Sequence, residues 1–198
     1  MLALSVNDDK AQVAAFGLPV LADDPPDFAW PLAGLEFCKQ AAPHLSHVAT
    51  LPADAPFAPR DFVARLNAAR EASGATIAFA ASLGRTHPVA GLRLVALAPA
   101  LRRALAEEGV RTAEAFAARF PLAAVEWTGE PDDPFFNINA PADPARAETL
   151  IASGLQKGPL RNQGMRAYEA PAMSLDEPMS PGRGCPIRSV RALSRGGR

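Results

Sequence analysis

The stretch His47-Val-Ala-Thr-Leu-Pro-Ala-Asp54-Ala-Pro-Phe-Ala-Pro59 joins a short, largely apolar run to a proline-rich turn with a single carboxylate. Residues 48–51 are bounded by proline and predict a buried strand. Asp54 lies in the turn that follows, and an amphipathic helix is expected over residues 60–70. Ligands of open α/β sheets bind beyond the carboxyl ends of the strands, where a carboxylate can hold a hard cation such as Mg²⁺. Asp54 is therefore either a turn cap or a metal ligand.

Alternating strand and helix patterns around this stretch predict an α/β fold. Gly74 ends the predicted helix, and residues 75–80 are expected to form the next strand. Strand, helix and strand at this spacing are typical of a mostly parallel sheet with helices on both faces. Further along, residues 84–88 are expected to form a turn, and Val125 and Trp127 to lie on a half-exposed edge strand. His87 lies in that turn, where structural and functional roles are both open.

The predicted folded unit ends shortly after a helix that begins at Asp143 and is closed by Gly154. Residues 1–156 carry a net charge of −6, whereas residues 157–198 carry +5. The second segment is rich in glycine, proline and arginine and has neither a helical nor a strand period. We therefore expect one domain over residues 1–156 and a disordered basic tail over residues 157–198.

Composition leaves several classes of function without support. The net charge of −1 gives no case for nucleic acid or a membrane surface as partner. No apolar run reaches the roughly 18 residues of a membrane-spanning helix, and the first residues do not resemble a signal peptide, so a cytoplasmic protein is expected. Cys38 and Cys185 lack the spacing of a zinc site. The chain also has no Gly-x-Ser-x-Gly elbow, Walker loop or Gly-x-Gly-x-x-Gly fingerprint.

Polar clusters follow three of the predicted strands. Asp23-Asp24 follows the second strand, Asp54 the third, and Asn137-Ile138-Asn139 comes after two phenylalanines near the end of the domain. On extended backbone, both amides of an Asn-x-Asn segment project from one face, which suits a ribose or a phosphate-bound metal. Each cluster alone is explained by turn chemistry. Three of them at one edge of a sheet favour a pocket for a nucleotide and a metal.

These residues, in this order, resemble the molybdenum cofactor guanylyltransferase family. The resemblance covers nearly all of residues 2–154, and each matching segment is short, so the specificity lies in their order. The matching segments are Gly17-Leu-Pro-Val-Leu-Ala-Asp23-Asp24, Pro31-Leu-Ala-Gly34, Pro52-Ala-Asp54-Ala-Pro56-Phe57, His87-Pro88-Val-Ala-Gly91-Leu92 and Asp133-Pro-Phe-Phe-Asn-Ile-Asn139.

The resemblance implies a Rossmann-like, three-layer α/β/α nucleotidyltransferase fold and transfer of GMP from GTP to molybdenum-bound molybdopterin. Pyrophosphate would be released. By matching position, Asp54 would be catalytic and would hold the Mg²⁺ that bridges the triphosphate. Asn137 and Asn139 would lie in the reaction site.

The nucleotide side is also implied by matching position. Asp23 would contact the nucleotide, and Asn7, or Ser5 just before it, matches a strand end that contacts the nucleotide. GTP and molybdopterin would be the small-molecule partners, and molybdoenzymes or other cofactor-biosynthesis proteins are candidate protein partners. A monomer is expected.

Two departures from the family pattern bear on activity. The family opens with a strand that runs into a Leu-Ala-Gly-Gly loop, whose backbone amides cradle phosphates. This sequence starts at what would be the family's second strand, so we expect an N-terminal truncation that lacks the first βα unit. Trp30 also stands where the family has glycine. The alternatives left open are a truncated inactive fragment, a non-catalytic module that docks the cofactor, and a molybdenum cofactor cytidylyltransferase.

Overall fold

The computed structural model describes residues 2–6, 13–21, 35, 44–129 and 132–152, together with the backbone of residues 188–190. Two 3₁₀ helices, Ala14–Phe16 and Val95–Leu97, accompany the main elements. In chain order the strands and helices are β1 (Leu4–Ser5), β2 (Val20–Leu21), β3 (His47–Thr50), α1 (Phe62–Ser73), β4 (Ile77–Ser82), β5 (Arg85–Leu94), α2 (Ala98–Ala106), α3 (Ala113–Ala117), β6 (Leu122–Trp127), α4 (Asp143–Ala152) and β7 (Arg188–Val190).

The chain forms two compact units. The first unit comprises residues 1–48, 94–119 and 162–186, and the second comprises residues 49–93, 120–161 and 187–198. The first unit contains β1, β2, α2 and α3, and the second contains α1, β4, β6, α4 and β7. The boundary falls within β3 and before the last residue of β5.

In the first unit, β1 and β2 form a parallel pair. The amide of Leu4 donates to the carbonyl of Pro19 over 2.8 Å, and the amide of Val6 donates to that of Leu21 over 3.0 Å. Thr112 caps α3, because its side chain accepts a hydrogen bond from the amide of Ala115.

A five-stranded sheet with the order β3-β5-β4-β6-β7 organises the second unit. β4 is buried at every position and lies at the centre. It pairs parallel with β6, and β6 pairs parallel with β7, which agrees with the predicted parallel sheet. The pairing of β4 with β5 is antiparallel, because a tight hairpin joins these two strands.

This hairpin corrects the predicted turn over residues 84–88. Leu83 (φ 50°) and Gly84 (φ 73°) form the two-residue loop, and β5 begins at Arg85. His87 therefore lies in a strand, opposite Ala80. The pairing then skips to Gly91 opposite Phe79, so residues 88–90 form a bulge in β5, where a proline without an N–H is tolerated.

The position of β6 is a second correction. The predicted alternation is confirmed, since Val125 and Trp127 are buried while Glu126 is exposed. The predicted edge position is wrong, because β6 pairs with a strand on each side. The indole of Trp127 is held by a hydrogen bond to Asp61 (3.0 Å) and packs against the ring of Phe62.

Among the described residues, two hydrophobic clusters stabilise the second unit. The first packs the buried face of α1, including Phe62 and Leu66, against one face of the sheet and against Phe135. The second is smaller and packs Ala147 and Leu150 of α4 against Phe57, with Phe136 and Ile138 at its margin. Complete burial of such side chains contributes about 1.5–3 kcal/mol each. The loops that carry Asp54 and Asn137 thus border well-packed elements.

The predicted tail falls almost entirely outside the described residues. Of the predicted tail over 157–198, the structure describes only the backbone of 188–190, which forms β7. The tail and the domain boundary therefore stay predictions. Within the described residues, no helix has the length and apolar character needed to cross a membrane.

Candidate active site

The turn that carries Asp54 is fixed by its backbone and by buried neighbours. The amide of Ala55 donates to the carbonyl of Pro52 (3.3 Å), and Ala55 and Phe57 are both buried. Asp54 itself is half-buried, and its carboxylate makes no hydrogen bond or ion pair with any residue that the structure describes. The carboxylate is thus held in place without being used as a cap, which leaves its oxygens available to an external cation.

A backbone hydrogen bond joins this turn to the Asn-x-Asn segment. The amide of Ile138 donates to the carbonyl of Asp54 over 2.9 Å, and the Ile138 side chain packs at the margin of the Phe57 cluster. Asn137 and Asn139 therefore flank the residue that is bonded to Asp54. Two of the three polar clusters singled out in the sequence are brought together in this way.

The backbone beyond Asn137 is braced by the first residue of α4. The Oδ2 atom of Asp143 accepts hydrogen bonds from the amides of Ala140 (2.7 Å) and Asn139 (2.9 Å). These two bonds hold the pKa of Asp143 below its ordinary value. Asp143 thus fixes the loop before its helix, and the side chain of Asn139 is left exposed on a braced backbone.

A groove of about 180 Å³ opens beside this turn. One wall is the bulge of β5, and the opposite residues come from the Asp54 turn and the Asn137 segment. Its polar side chains belong to Thr86, His87 and Asn137. The lining residues are Pro52, Ala55, Thr86, His87, Pro88, Val89, Ala90, Phe135 and Asn137.

A chain of short hydrogen bonds supports His87 at the edge of this groove. The hydroxyl of Ser82 lies 2.7 Å from Nε2 of His87 and donates to Oδ1 of Asp133 over 2.7 Å. Asp133 also accepts from the amide of Phe135 (2.9 Å), and its Oδ2 lies 3.3 Å from a guanidinium nitrogen of Arg85. The imidazole ring packs against the ring of Phe135, with 4.8 Å between the centroids and 30° between the ring planes.

The electrostatic surroundings of this hydrogen-bonded chain favour a neutral His87 and an ionised Asp133. Burial lowers the pKa of His87, with smaller opposing contributions from Asp133 and Glu126 and a further lowering by Arg85. Burial acts to raise the pKa of Asp133, but the hydrogen bonds from Ser82 and the Phe135 amide, with the neighbouring positive charges, hold it below its usual value. Near pH 7 the pair is therefore imidazole and carboxylate.

Arg93 supports the bulge from inside the sheet. Its side chain is 1% exposed, and its guanidinium donates to Oγ1 of Thr50 (2.7 Å) and to the carbonyl of Pro88. Burial lowers the pKa of Arg93 to about 10, so it stays a cation at neutral pH. Thr50 in turn donates to the carbonyl of Val89 over 2.5 Å. The carbonyls of Pro88 and Val89 in the bulge therefore both accept a hydrogen bond.

The remaining sequence-predicted residues lie in the first unit or outside the described residues. Ser5 is the exposed last residue of β1 in the first unit. Asn7 and Asp23 lie outside the described residues, as does Trp30. Among described side chains, no group of three or more His, Cys, Asp or Glu could hold a metal by itself.

Sequence reasoning missed the roles of Ser82 and Asp133. The one available signal was Ser82 itself, the single hydroxyl at the end of the apolar strand 77–82, because a buried hydroxyl requires a partner. Its partner, Asp133, is 51 residues away in the sequence. That pairing depends on the parallel placement of β4 beside β6 and on the loop that follows.

Comparisons with known proteins agree with this architecture. The model of the MobA-like NTP transferase domain matches residues 1–120. A molybdenum cofactor guanylyltransferase of Rhodopseudomonas palustris (strain HaA2) is 49% identical over 154 residues, which cover 76% of this chain and 72% of that protein. One of Bradyrhizobium sp. (strain ORS 278) is 47% identical over 155 residues, covering 76% and 73%.

A solved structure shares the fold. The crystal structure of molybdopterin-guanine dinucleotide biosynthesis protein A from Archaeoglobus fulgidus superposes with a TM-score of 0.57 at 20% identity, over 76% of this chain and 78% of that one. The similarity at this identity concerns the α/β nucleotidyltransferase fold. The matched domain and the two relatives show that this chain belongs to the molybdenum cofactor guanylyltransferase family of MobA-like nucleotidyltransferases.

Proposed function

We propose that the protein transfers GMP from GTP to molybdenum-bound molybdopterin, forming the guanine dinucleotide cofactor and releasing pyrophosphate. The observation that carries the proposal is the bond between the Asp54 turn and the Asn137–Asn139 segment in a chain of this family. It brings together the Asp54 carboxylate, which has no partner among the described residues, and two amides, of which that of Asn137 lines the groove. In the proposed reaction, an oxygen of the pterin's terminal phosphate bonds to the α-phosphorus of GTP while the bond to pyrophosphate breaks.

Asp54 is the proposed ligand for Mg²⁺. The donor set fits, because Mg²⁺ in phosphate-transfer sites is held through one or two carboxylates together with substrate phosphates and water. When bound, the ion would neutralise charge on the triphosphate. Asp54 has to present its oxygens in a fixed place, which the surrounding prolines and buried Ala55 and Phe57 achieve. Ser5, Asn7 and Asp23 are proposed to contact the nucleotide, by resemblance to the family.

Asn137 and Asn139 are the proposed positioning groups of the reaction site. Nucleotidyl transfer requires little covalent work from the protein, and most of the rate enhancement comes from alignment and charge stabilisation. Amide side chains both donate and accept hydrogen bonds, so they can orient phosphate or ribose oxygens. The brace from Asp143 to the amide of Asn139 limits the motion of this segment.

The test is formation of the dinucleotide product, measured by mass spectrometry after incubation with GTP, Mg²⁺ and molybdenum-bound molybdopterin. Asp54→Asn keeps the size of the side chain and removes its charge, and we expect the rate to fall by about a thousandfold because metal stabilisation contributes several kcal/mol. Asp61→Asn is the matched control, since its amide oxygen can still accept from Trp127 and Asp61 has no role in the proposed reaction.

Two other outcomes would replace the proposal. Preferential use of CTP over GTP would make the protein a cytidylyltransferase. Binding of molybdopterin without transfer from either nucleotide would support a non-catalytic docking module. Equal rates for the Asp54→Asn and Asp61→Asn variants would remove Asp54 from the reaction.

A further inference from the structure

The hydrogen bonds around Ser82 have a fixed direction. An ionised carboxylate can only accept hydrogen bonds, and a serine hydroxyl has a single proton to donate. The pKa of Asp133 is held below its usual value, so the proton of the fully buried Ser82 hydroxyl is donated to Oδ1 of Asp133. The contact between Ser82 and Nε2 of His87 then requires Nε2 to be the donor.

This direction fixes the tautomer of His87. In a neutral imidazole one nitrogen carries the proton and the other accepts. With the proton on Nε2, Nδ1 is the acceptor, and it has no partner among the described residues. The packing of the ring against Phe135 restricts its rotation. The arrangement thus prepares one oriented acceptor on a residue that lines the groove.

The groove itself suits one planar ring. Its volume of about 180 Å³ is below the roughly 300–1,000 Å³ of pockets that enclose drug-sized ligands. Most of the lining is apolar, with Phe135 and two prolines, and the few polar side chains belong to Thr86, His87 and Asn137. A single ring system with a hydrogen-bonding edge matches this combination of size and polarity.

We propose that His87 recognises a planar heterocycle in this groove by accepting, at Nδ1, a hydrogen bond from the ring's N–H edge. Ser82 and Asp133 are the positioning residues that hold the imidazole for this contact. The inference rests on the proposed function, because both of its substrates carry such a ring: guanine in GTP and the pterin in molybdopterin are aminopyrimidinones with N–H donors. Beyond that function, it names Nδ1 of His87 as the atom that binds the N–H edge of the ring.

The first experiment measures the tautomer directly. Nitrogen-15 NMR spectra of histidine-labelled protein near pH 7, without any ligand, distinguish Nε2–H from Nδ1–H imidazole. We expect His87 to be neutral and protonated on Nε2, and Ser82→Ala to shift it toward a mixture of tautomers. Assignment of the signal comes from its loss in His87→Asn. A predominant Nδ1–H form, or a spectrum unchanged by Ser82→Ala, would overturn the proposal.

The second experiment measures binding of two ring probes, guanosine and an unsubstituted pterin, by calorimetry without metal or triphosphate. His87→Phe keeps a stacking ring but removes the acceptor, and we expect about tenfold weaker binding for the loss of one hydrogen bond. His87→Asn places an amide oxygen near the position of Nδ1, so we expect binding to stay within about threefold of the original.

Controls separate this inference from the proposed function. Ser73→Ala, which removes a hydroxyl bonded to the Ala69 carbonyl within α1, should leave ring binding unchanged. The probe that binds tells whether the groove takes the nucleobase or the pterin. Equal affinities for the original protein and His87→Phe, or no binding of either probe, would refute the role of His87. Ring binding that persists without GMP transfer would instead refute only the proposed reaction.

Discussion

Two carboxylates in the second unit, Asp54 and Asp133, have opposite surroundings. Asp54 follows β3 and Asp133 follows β6, so both lie in loops beyond the ends of strands. Asp54 has a bonded backbone and a carboxylate without a partner among the described residues. Asp133 accepts hydrogen bonds from Ser82 and the amide of Phe135 and forms an ion pair with Arg85.

The charge of Asp54 is available to a ligand, whereas the charge of Asp133 holds parts of the protein together. A partnered carboxylate stabilises the fold, since charge-assisted hydrogen bonds contribute more than neutral ones. An unpartnered carboxylate on a rigid turn adds little to stability but can interact strongly with a cation that arrives with a substrate. We therefore expect removal of the Asp133 carboxylate to lower stability, and removal of the Asp54 carboxylate to weaken the interaction with a cation while leaving stability almost unchanged.

The largest expected effect on stability comes from removing the partnered carboxylate. Asp133→Ala deprives the fully buried Ser82 hydroxyl of its acceptor, and we expect the free energy of unfolding to fall by about 2 kcal/mol. Asp54→Ala should change it by less than about 0.5 kcal/mol, because no described residue loses a partner. Urea titrations of both variants measure the difference. Equal losses would show that Asp54 has a structural role after all.

Local patterns predicted the elements around Asp54 well. The strand before it, the helix after it and the next strand are all present, because their apolar periods and punctuating glycine and prolines act over a few residues. The predicted burial of the first strand is wrong, because β3 is only half-buried, with Ala49 exposed, and lies at the edge of the described sheet. The candidate site was predicted only in part. The proximity of Asp54 to the Asn-x-Asn segment followed from placing polar clusters after strands, although the bond that joins them could not be read from the sequence.

The surroundings of His87 were not predicted, for two physical reasons. The hairpin loop uses Leu83 at positive φ, where Asn or Asp before glycine is the usual signal of such a turn. The bulge that follows contains Pro88, which reads as a turn residue in isolation. In addition, the contacts of Ser82 with Asp133 and of His87 with Phe135 cross from β4 and β5 to a distant loop, and such long-range pairings leave no local pattern.

A smaller effect is expected from protonating His87. Nδ1 accepts a hydrogen bond only in the neutral ring, so affinity for a ring ligand should be constant above about pH 6.5 and decline at lower pH, by up to about tenfold per unit below the pKa of His87. Burial lowers this pKa, and Asp133, Arg85 and Glu126 are the charged groups that act on the ring.

Calorimetric titrations from pH 5 to pH 8 with the ring probe that binds measure this dependence. The His87→Asn variant is the control, because its amide does not titrate and its affinity should stay level. Binding that strengthens as the pH falls would mean that a protonated His87 donates to the ligand. That result would contradict the assigned direction of the hydrogen bond.

The smallest expected effect comes from Arg85, the exposed partner of Asp133. Its side chain is 69% exposed, and ion pairs of this kind contribute about 0–1 kcal/mol, so Arg85→Ala should lower the free energy of unfolding by less than about 1 kcal/mol. Arg85 also lowers the pKa of His87, so its removal should move the decline in ring affinity to higher pH. Urea unfolding and the same pH series test both. A loss of stability as large as that of Asp133→Ala would mean that the ion pair, rather than the Ser82 hydroxyl, holds Asp133 in place.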